Sequence, residues 1–200
     1  MSATTLFTIG HSNQSLESFL GLLRQHGIDA VADVRSLPKC RYTPYFNGDA
    51  LAESLPAAGI RYVFLGAELG ARRSEAEAFE NGKARYDLIA KTPLFRSGLE
   101  RVRRGMQSFR LALMCAEKDP LSCHRSILVC RNLRADVAAI AHILEGGELE
   151  SLAQFESRLL AECGLPESDL FQMRAELVEQ AYDLHGEQIA YTAADEEPTP

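Results

Sequence analysis

The sequence of 200 residues contains no tryptophan, and aromatic residues make up only 8% of it. Its hydrophobic content of 46% is still enough for a real core, which leucine, isoleucine, valine and alanine must therefore fill. No run of about 18 apolar residues occurs, so no membrane-spanning helix is predicted. The first residues also lack a basic start followed by a long apolar run, so we predict no signal peptide and expect a cytoplasmic protein.

Cysteine patterns that mark common redox, zinc and phosphatase sites are missing. No Cys-x-x-Cys occurs, which weakens both a thioredoxin-type site and a structural zinc knuckle. Nine residues separate Cys115 from Arg125, so the phosphatase pattern of Cys, five residues and Arg is absent as well. The five cysteines are an odd number, and without a secretion signal we expect free thiols in a reducing compartment. They are Cys40, Cys115, Cys123, Cys130 and Cys163.

Positive charge is scarce overall, with 21 lysines and arginines against 28 acidic residues and a net charge of −7. This balance argues against binding duplex nucleic acid through bulk charge. Residues 35–46 nevertheless combine Arg35, Lys39 and Arg41 with three aromatic residues. Such a loop suits a phosphate with a stacked base, and single-stranded nucleic acid is one such ligand. A solvated basic loop with its aromatic rings folded onto the sheet edge is an equally good interpretation.

Apolar segments that read as strands alternate with segments that read as amphipathic helices. Strands are predicted at residues 4–9, 30–34, 60–65, 109–115 and 136–144, and helices at 15–26, 49–58, 93–106, 123–133, 149–163 and 168–184. This alternation predicts an α/β fold, a Rossmann-like three-layer sandwich with a mostly parallel sheet of about five strands and C-terminal helices. We expect one domain over residues 1–190 and an acidic, disordered tail at 191–200.

Most of the unusual polar residues follow the predicted strands, at the point where each strand ends. The carboxyl ends of parallel strands share one edge of the sheet, where ligands of such folds bind. We therefore expect a polar pocket there. The strand ends supply His11 and Ser12, then Asp33, Arg35, Lys39 and Arg41, then Glu68 and Gly70, and finally Cys115, Glu117, Cys123, His124 and Arg125.

The segment 111–132 is the centre of this predicted pocket, because a strand, a loop and a helix start form an anion site. A cysteine at a helix start beside cations has a lowered pKa, which makes Cys123 a candidate nucleophile with His124 or His11 as its base. In the alternative interpretation, Arg125 pairs with Asp33 or Glu117 and ties two loops together. Asp33 is a candidate general base, although we favour a role in orienting Arg35 or His11.

A metal site is a second interpretation of the same residues. Cys115, Cys123, His124 and His11 have the donor types that zinc and iron prefer. Their spacing fits no standard signature, and a cysteine at a strand end is more often a core residue. No metal ligand is therefore assigned from the sequence, and the cofactor stays open.

Several short motifs, taken in order, resemble a bacterial family catalogued as domain of unknown function 488. The motifs are Thr8-Ile9-Gly10-His11-Ser12, Asp33-Val34-Arg35-Ser36 with Pro38, Arg41 and Phe46, Tyr62 with Leu65-Gly66 and Leu69-Gly70, Cys115-Ala116-Glu117, Cys123-His124-Arg125, and His142-Ile143-Leu144. The resemblance covers roughly residues 7–190. Cys40 and Ala71 depart from the family's usual serine and glycine. The resemblance implies a small α/β fold with a polar pocket and carries no established reaction.

These observations predict an enzyme that acts on a phosphate-bearing small molecule or nucleotide. The predicted catalytic residues are Cys123, His11, His124 and Asp33, and the predicted ligand-binding residues are Ser12, Arg35, Arg41, Gly70, Glu117 and Arg125. The alternatives are a transition-metal protein with cysteine and histidine ligands, and a non-catalytic module that binds nucleic acid or a partner protein. The sequence names neither the substrate nor the oligomeric state.

Overall fold

A computed structural model describes residues 4–73 and 75–192 of the chain. The strands are β1 (Thr5–Gly10), β2 (Ala30–Asp33), β3 (Arg61–Phe64), β4 (Phe79–Glu80), β5 (Lys83–Ala84), β6 (Leu111–Cys115), β7 (Ala139–Ile143) and β8 (Leu149–Ser151). Six of them form the central sheet in the order β3-β2-β6-β1-β7-β8. All neighbouring pairs are parallel except β7 and β8. The Rossmann-like α/β prediction is confirmed, with one strand more than expected.

Helices cover both faces of this sheet. They are α1 (Leu16–Gln25), α2 (Gly48–Ala57), α3 (Gly66–Leu69), α4 (Tyr86–Ile89), α5 (Pro93–Met106), α6 (a π-helical turn at Arg125–Cys130 continued by Arg131–Leu133), α7 (Leu152–Glu162) and α8 (Arg174–Ile189). Side chains of Ser15, Thr92 and Ser151 cap α1, α5 and α7 by accepting a bond from a free backbone N–H. Among the described residues, none of the helices combines the length and the apolar character needed to cross a membrane.

Alternating residues of the strands divide the core between the two sheet faces, as the period of two requires. On β6, Ala112 and Met114 pack against α1 and α2, whereas Leu113 and Cys115 lie on the face covered by α5 and α6. A third apolar cluster joins α6, α7 and α8. The side chain of Cys115 therefore points toward the start of α6, which brings the two parts of the central segment together.

The predicted starts of the last two helices were wrong, because contacts within the fold override the local sequence pattern. Residues Leu149–Ser151 were predicted as helix and instead form the antiparallel edge strand β8, and α7 begins only after Ser151. The last helix begins at Arg174, not at residue 168, and extends to Ile189.

The first two residues of the predicted disordered tail, Tyr191 and Thr192, are ordered. The carbonyl oxygen of Tyr191 accepts a hydrogen bond from the backbone N–H of Ala84 at 2.8 Å. Thr192 pairs with Lys83 in an antiparallel bridge. The rest of the predicted tail, residues 193–200, lies outside the described residues. The end of the described chain is therefore attached to the hairpin formed by β4 and β5.

Candidate functional site

The carboxyl ends of β1, β2 and β6 meet at one edge of the sheet, because β6 lies between the other two strands. A cavity of about 780 Å³ opens at this edge. Its lining includes His11, Arg35, Ser36, Lys39, Cys40, Arg72, Tyr86, Cys115, Glu117, Ser122, His124, Gln188 and Tyr191. Four residues predicted for the site thus face one space: His11, Arg35, Glu117 and His124. A larger cavity of about 870 Å³ lies between β3 and α5, away from these residues.

Asp33 and Arg35 form a buried ion pair on one wall of the cavity. Nε and Nη2 of Arg35 donate to the two carboxylate oxygens of Asp33 at 2.9 and 2.6 Å. The carboxylate also accepts from the backbone N–H of Arg35 at 3.1 Å and from the Tyr62 hydroxyl at 2.9 Å. With four hydrogen bonds the carboxylate is satisfied, and it holds the guanidinium of Arg35 in place.

His11 is held in one tautomer by its two neighbours. Nδ1 lies 2.8 Å from the carbonyl oxygen of Ser12, which can only accept, so this nitrogen carries the proton. Nε2 lies 3.0 Å from Nη1 of Arg35, which can only donate, so Nε2 is the acceptor. Burial, followed by the charge of Arg35, lowers the pKa of His11 to about 4. The ring stacks on Phe46 at 4.3 Å between centroids. His11 is therefore a neutral imidazole that accepts from Arg35.

Two thiols, a carboxylate and an imidazole converge on the other wall. The donor atoms of Cys115, Glu117, Cys123 and His124 all lie within 4.8 Å of one another. Glu117 Oε2 is 2.9 Å from Sγ of Cys115 and 3.0 Å from Sγ of Cys123. Nδ1 of His124 is 3.7 Å from Sγ of Cys115. We call these four residues the thiol cluster. Their donor atoms are close enough together to hold a metal ion.

The imidazole of His124 presents an unprotonated nitrogen to the thiol cluster in its neutral form. Nε2 lies 3.0 Å from the carbonyl oxygen of Val34 and must donate to it. Nδ1, on the cluster side, is then free to accept a proton or a metal ion. An outer hydrogen bond of this kind is what orients a histidine ligand at a metal.

The surroundings shift the pKa values of the two thiols in opposite directions. Burial, followed by the hydrogen bond and charge of Cys123, raises the pKa of Cys115 well above its ordinary value. Burial also opposes ionisation of Cys123, but the hydrogen bond from Cys115 and the charges of Arg125 and His124 outweigh it and lower the pKa of Cys123. Burial and then the charge of Cys123 raise the pKa of Glu117. Cys123 is therefore the more acidic of the two thiols.

Arg125 lies beneath the cavity and is fully buried. Its Nη1 donates to the carbonyl oxygen of Glu117 at 2.7 Å and its Nη2 to that of Lys118 at 3.3 Å. Its backbone N–H points at Sγ of Cys123, 3.4 Å away. The helix start thus donates to a sulfur of its own chain. The arginine ties the loop after β6 to α6 through backbone oxygens, without the Asp33 or Glu117 carboxylate expected as its partner.

Besides Arg125, three predicted binding residues lie outside the cavity lining in the part of the chain that the structure describes: Ser12, Arg41 and Gly70. Gly70 has a packing role, since a Cβ on it would collide with the carbonyl oxygen of Gly66 and the side chain of Ser36. Gly10 is similar, because a Cβ there would collide with the carbonyl oxygen of Glu117. These glycines let the loops around the cavity approach one another.

Cys123 also does not contribute to the described cavity surface, whereas Cys115 does. Both residues are almost fully buried, at 2% exposed for Cys115 and 1% for Cys123, and only Cys115 borders the cavity. This placement leaves Cys123, the predicted nucleophile, behind Cys115 and Glu117. The expectation that all five cysteines are free thiols is confirmed.

Sequence reasoning missed the part of the wall built by distant elements. Tyr86 belongs to α4, and Arg72 follows α3. Residues 188–191 comprise the last two residues of α8 and the two residues after it. The guanidinium of Arg72 lies over the ring of Tyr191, 5.1 Å from its centroid. No local signal marks these residues, because only the tertiary fold brings the end of the described chain to the strand ends.

A comparison with protein-family models gives one match, to the model described as "Domain of unknown function DUF488", over residues 15–131. The match covers more than half of the 200 residues and contains the Asp33–Arg35 pair and the whole thiol cluster. The motifs around residues 8–12 and 142–144 fall outside it. Neither the curated proteins nor the solved structures contain a match to the chain. The extent of the family match shows that this chain is a member of the DUF488 family.

Proposed function

We propose that the protein binds a transition-metal ion, zinc by preference, in the thiol cluster at the floor of the cavity. The observation that carries this proposal is the convergence of four donor atoms within 4.8 Å. A tetrahedral zinc ion with bonds of about 2.0–2.3 Å holds its donors roughly 3.3–3.8 Å apart. The 3.7 Å between Cys115 Sγ and His124 Nδ1 falls in this range. Two sulfurs with one nitrogen also favour zinc over magnesium or calcium.

The surroundings of the thiol cluster support the same proposal. The bond from His124 to Val34 turns Nδ1 toward the site, as at histidine ligands of known metal centres. The backbone N–H of Arg125 points at Cys123 Sγ, and the buried guanidinium adds positive charge near both sulfurs. Both groups stabilise the thiolates that a metal ion requires.

Elemental analysis of protein purified without chelators tests the metal site. We expect about one zinc per chain, because the four donors are already gathered. The double variant Cys115→Ser, Cys123→Ser should lose the metal, whereas Cys163→Ser, a thiol outside the cluster, should keep it. Cobalt substitution should add thiolate-to-cobalt charge-transfer absorption only where both cluster thiols are present. Equal metal content in the wild type and the double variant would refute the site.

A second function, favoured by the charges at the cavity, is the binding of a small anionic molecule such as a phosphate-bearing metabolite or nucleotide. Lys39 and Arg72 line the cavity, and neither has a carboxylate partner within residues 4–73 and 75–192. Most other arginines are in ion pairs, for example Arg103 with Asp136 and Arg131 with Glu179. Two cations without a carboxylate partner at one cavity, in a chain of net charge −7, support the binding of an anion there. The aromatic rings of Tyr86 and Tyr191 give a nucleobase surfaces on which to stack.

Calorimetric titration with adenosine monophosphate and with inorganic phosphate tests this second function. The double variant Lys39→Ala, Arg72→Ala should bind at least about tenfold more weakly, because each charged contact contributes roughly 1 kcal/mol or more. The matched control removes two exposed arginines elsewhere, Arg24→Ala and Arg96→Ala, and should bind as the wild type does. Affinity should also fall as salt rises. If both double variants bind the probes equally, the cavity is not the anion site.

A further inference from the structure

We propose that Glu117 is an exchangeable ligand of the metal ion, and that the anion in the cavity binds the metal directly by taking its place. This inference rests on the proposed metal site and names how its substrate is held. The class of ligand is a small anion with an oxygen or nitrogen donor atom. The four residues of the thiol cluster are held in place to different degrees.

Three of the four residues are fixed by the fold. Cys115 and Cys123 are 2% and 1% exposed and belong to the apolar core. His124 is tied to Val34 through Nε2. Glu117, by contrast, lies on the loop after β6 and is exposed as a residue, although its carboxylate is turned inward against the two thiols and is partly desolvated there. A metal ion would therefore have three rigid ligands and one that can swing away at little structural cost.

The contacts that hold the Glu117 carboxylate are lost when a metal ion binds. Oε2 accepts from the two cluster thiols at 2.9 and 3.0 Å, and these are its only side-chain hydrogen-bond partners among the described residues. Cysteine ligands bind metal as thiolates, so both donors lose their protons. The metal–oxygen bond is then the main restraint left on this carboxylate, and the two adjacent thiolates repel it.

The cavity reaches the site from the side of Glu117. Cys115, Glu117 and His124 line it, whereas Cys123 lies behind them and Arg125 closes the site from below. An anion that enters past Lys39 and Arg72 therefore meets the metal where the carboxylate is bound. Arg35 lines the opposite wall of the same cavity, where its Nη1 donates to Nε2 of His11 at 3.0 Å.

Charge balance favours replacement over addition. Two thiolates, a neutral imidazole and one carboxylate around a divalent ion leave a single net negative charge. A further anion would double that charge in a partly buried site. In the exchange, the bond from the metal to Glu117 breaks and a bond from the metal to the anion's donor atom forms. No electrons are transferred, and with a monoanion such as azide the net charge at the metal stays the same, while the freed carboxylate turns into solvent.

Azide titration of the cobalt-loaded protein, followed through the visible cobalt bands, tests the exchange. The wild type should show a saturable spectral change as azide replaces the carboxylate. Glu117→Ala should keep about one cobalt per chain and bind azide at least about tenfold more tightly, because nothing has to be displaced. Glu148→Gln, which alters a carboxylate in a distant turn, should behave as the wild type. The Lys39→Ala, Arg72→Ala variant should weaken azide binding and leave the spectrum without azide unchanged.

The outcomes separate this inference from the function on which it rests. A wild type that takes up no cobalt refutes the metal site and the exchange together. A wild type that holds cobalt with both thiolates but shows no spectral change with azide, in itself and in Glu117→Ala, keeps the metal site and overturns the exchange. Loss of cobalt from Glu117→Ala to the level of the cysteine double variant overturns it too, because Glu117 would then be as essential as the thiols.

Discussion

His142 is a buried histidine whose environment permits only the neutral form. Nδ1 lies 2.8 Å from the Thr8 hydroxyl, and the ring packs against Phe155. Nε2 is buried with no hydrogen-bond partner. Burial, followed by the positive charges of Arg125 and Arg158, lowers the pKa of His142 to about 3, although Asp119 acts in the opposite direction. Its charge state therefore links it to the stability of the protein.

This depressed pKa makes folding depend on pH. The unfolded chain takes up a proton at His142 near pH 6.5 and the folded chain only near pH 3. Stability from this residue is therefore complete above pH 6.5 and is lost as the pH falls. We expect the wild type to lose about 2–3 kcal/mol more than His142→Gln between pH 7.5 and 4.5. Urea denaturation at both pH values measures this, and parallel losses in the two proteins would show that His142 does not titrate in this way.

At the scale of elements, the position of the site followed from strand order more than from any single motif. Parallel strands whose carboxyl ends share an edge brought His11, Arg35 and Glu117 to one cavity, as the polar residues after each predicted strand indicated. The type of site was harder to predict. Cys115 and Cys123 have seven residues between them, and their sulfurs meet only because β6 points Cys115 at the start of α6. The spacing of the two cysteines in the sequence does not indicate which face of the sheet the Cys115 side chain lies on.

Elements that the sequence did not predict have causes beyond their own residues. The edge strand β8 forms because β7 offers a free edge, which gives residues 149–151 a ladder that a helix pattern does not reveal. The π-helical turn at Arg125–Cys130 is a rare geometry, often found at functional sites, and no propensity scale marks it. The contribution of α8 to the cavity depends on packing against α6 and α7, which residue periodicity leaves open.

At the scale of the whole molecule, the thiol cluster lies where separate parts of the core adjoin. Cys115 and Cys123 belong to the apolar cluster on the α5 side of the sheet, whereas Ile127, one helical turn further, belongs to the cluster shared with α7 and α8. His124 reaches across to the chain after β2 through Val34. A metal ion bound here would link a central strand, its loop and α6, so its effect on stability should extend over the whole fold.

Removal of the metal ion should therefore lower the unfolding temperature of the entire domain. A ligand present at 1,000 times its dissociation constant stabilises the folded state by about 4 kcal/mol, and a domain of this size shifts by roughly 2–4 °C per kcal/mol. We expect calorimetry to show a melting temperature about 8–16 °C higher for zinc-loaded protein than for protein dialysed against a chelator. Hydrogen exchange should slow most over residues 111–133. The Cys115→Ser, Cys123→Ser variant should melt at the same temperature with and without zinc. A wild type that does likewise would mean that the four donors, although close together, do not link these elements through a metal ion.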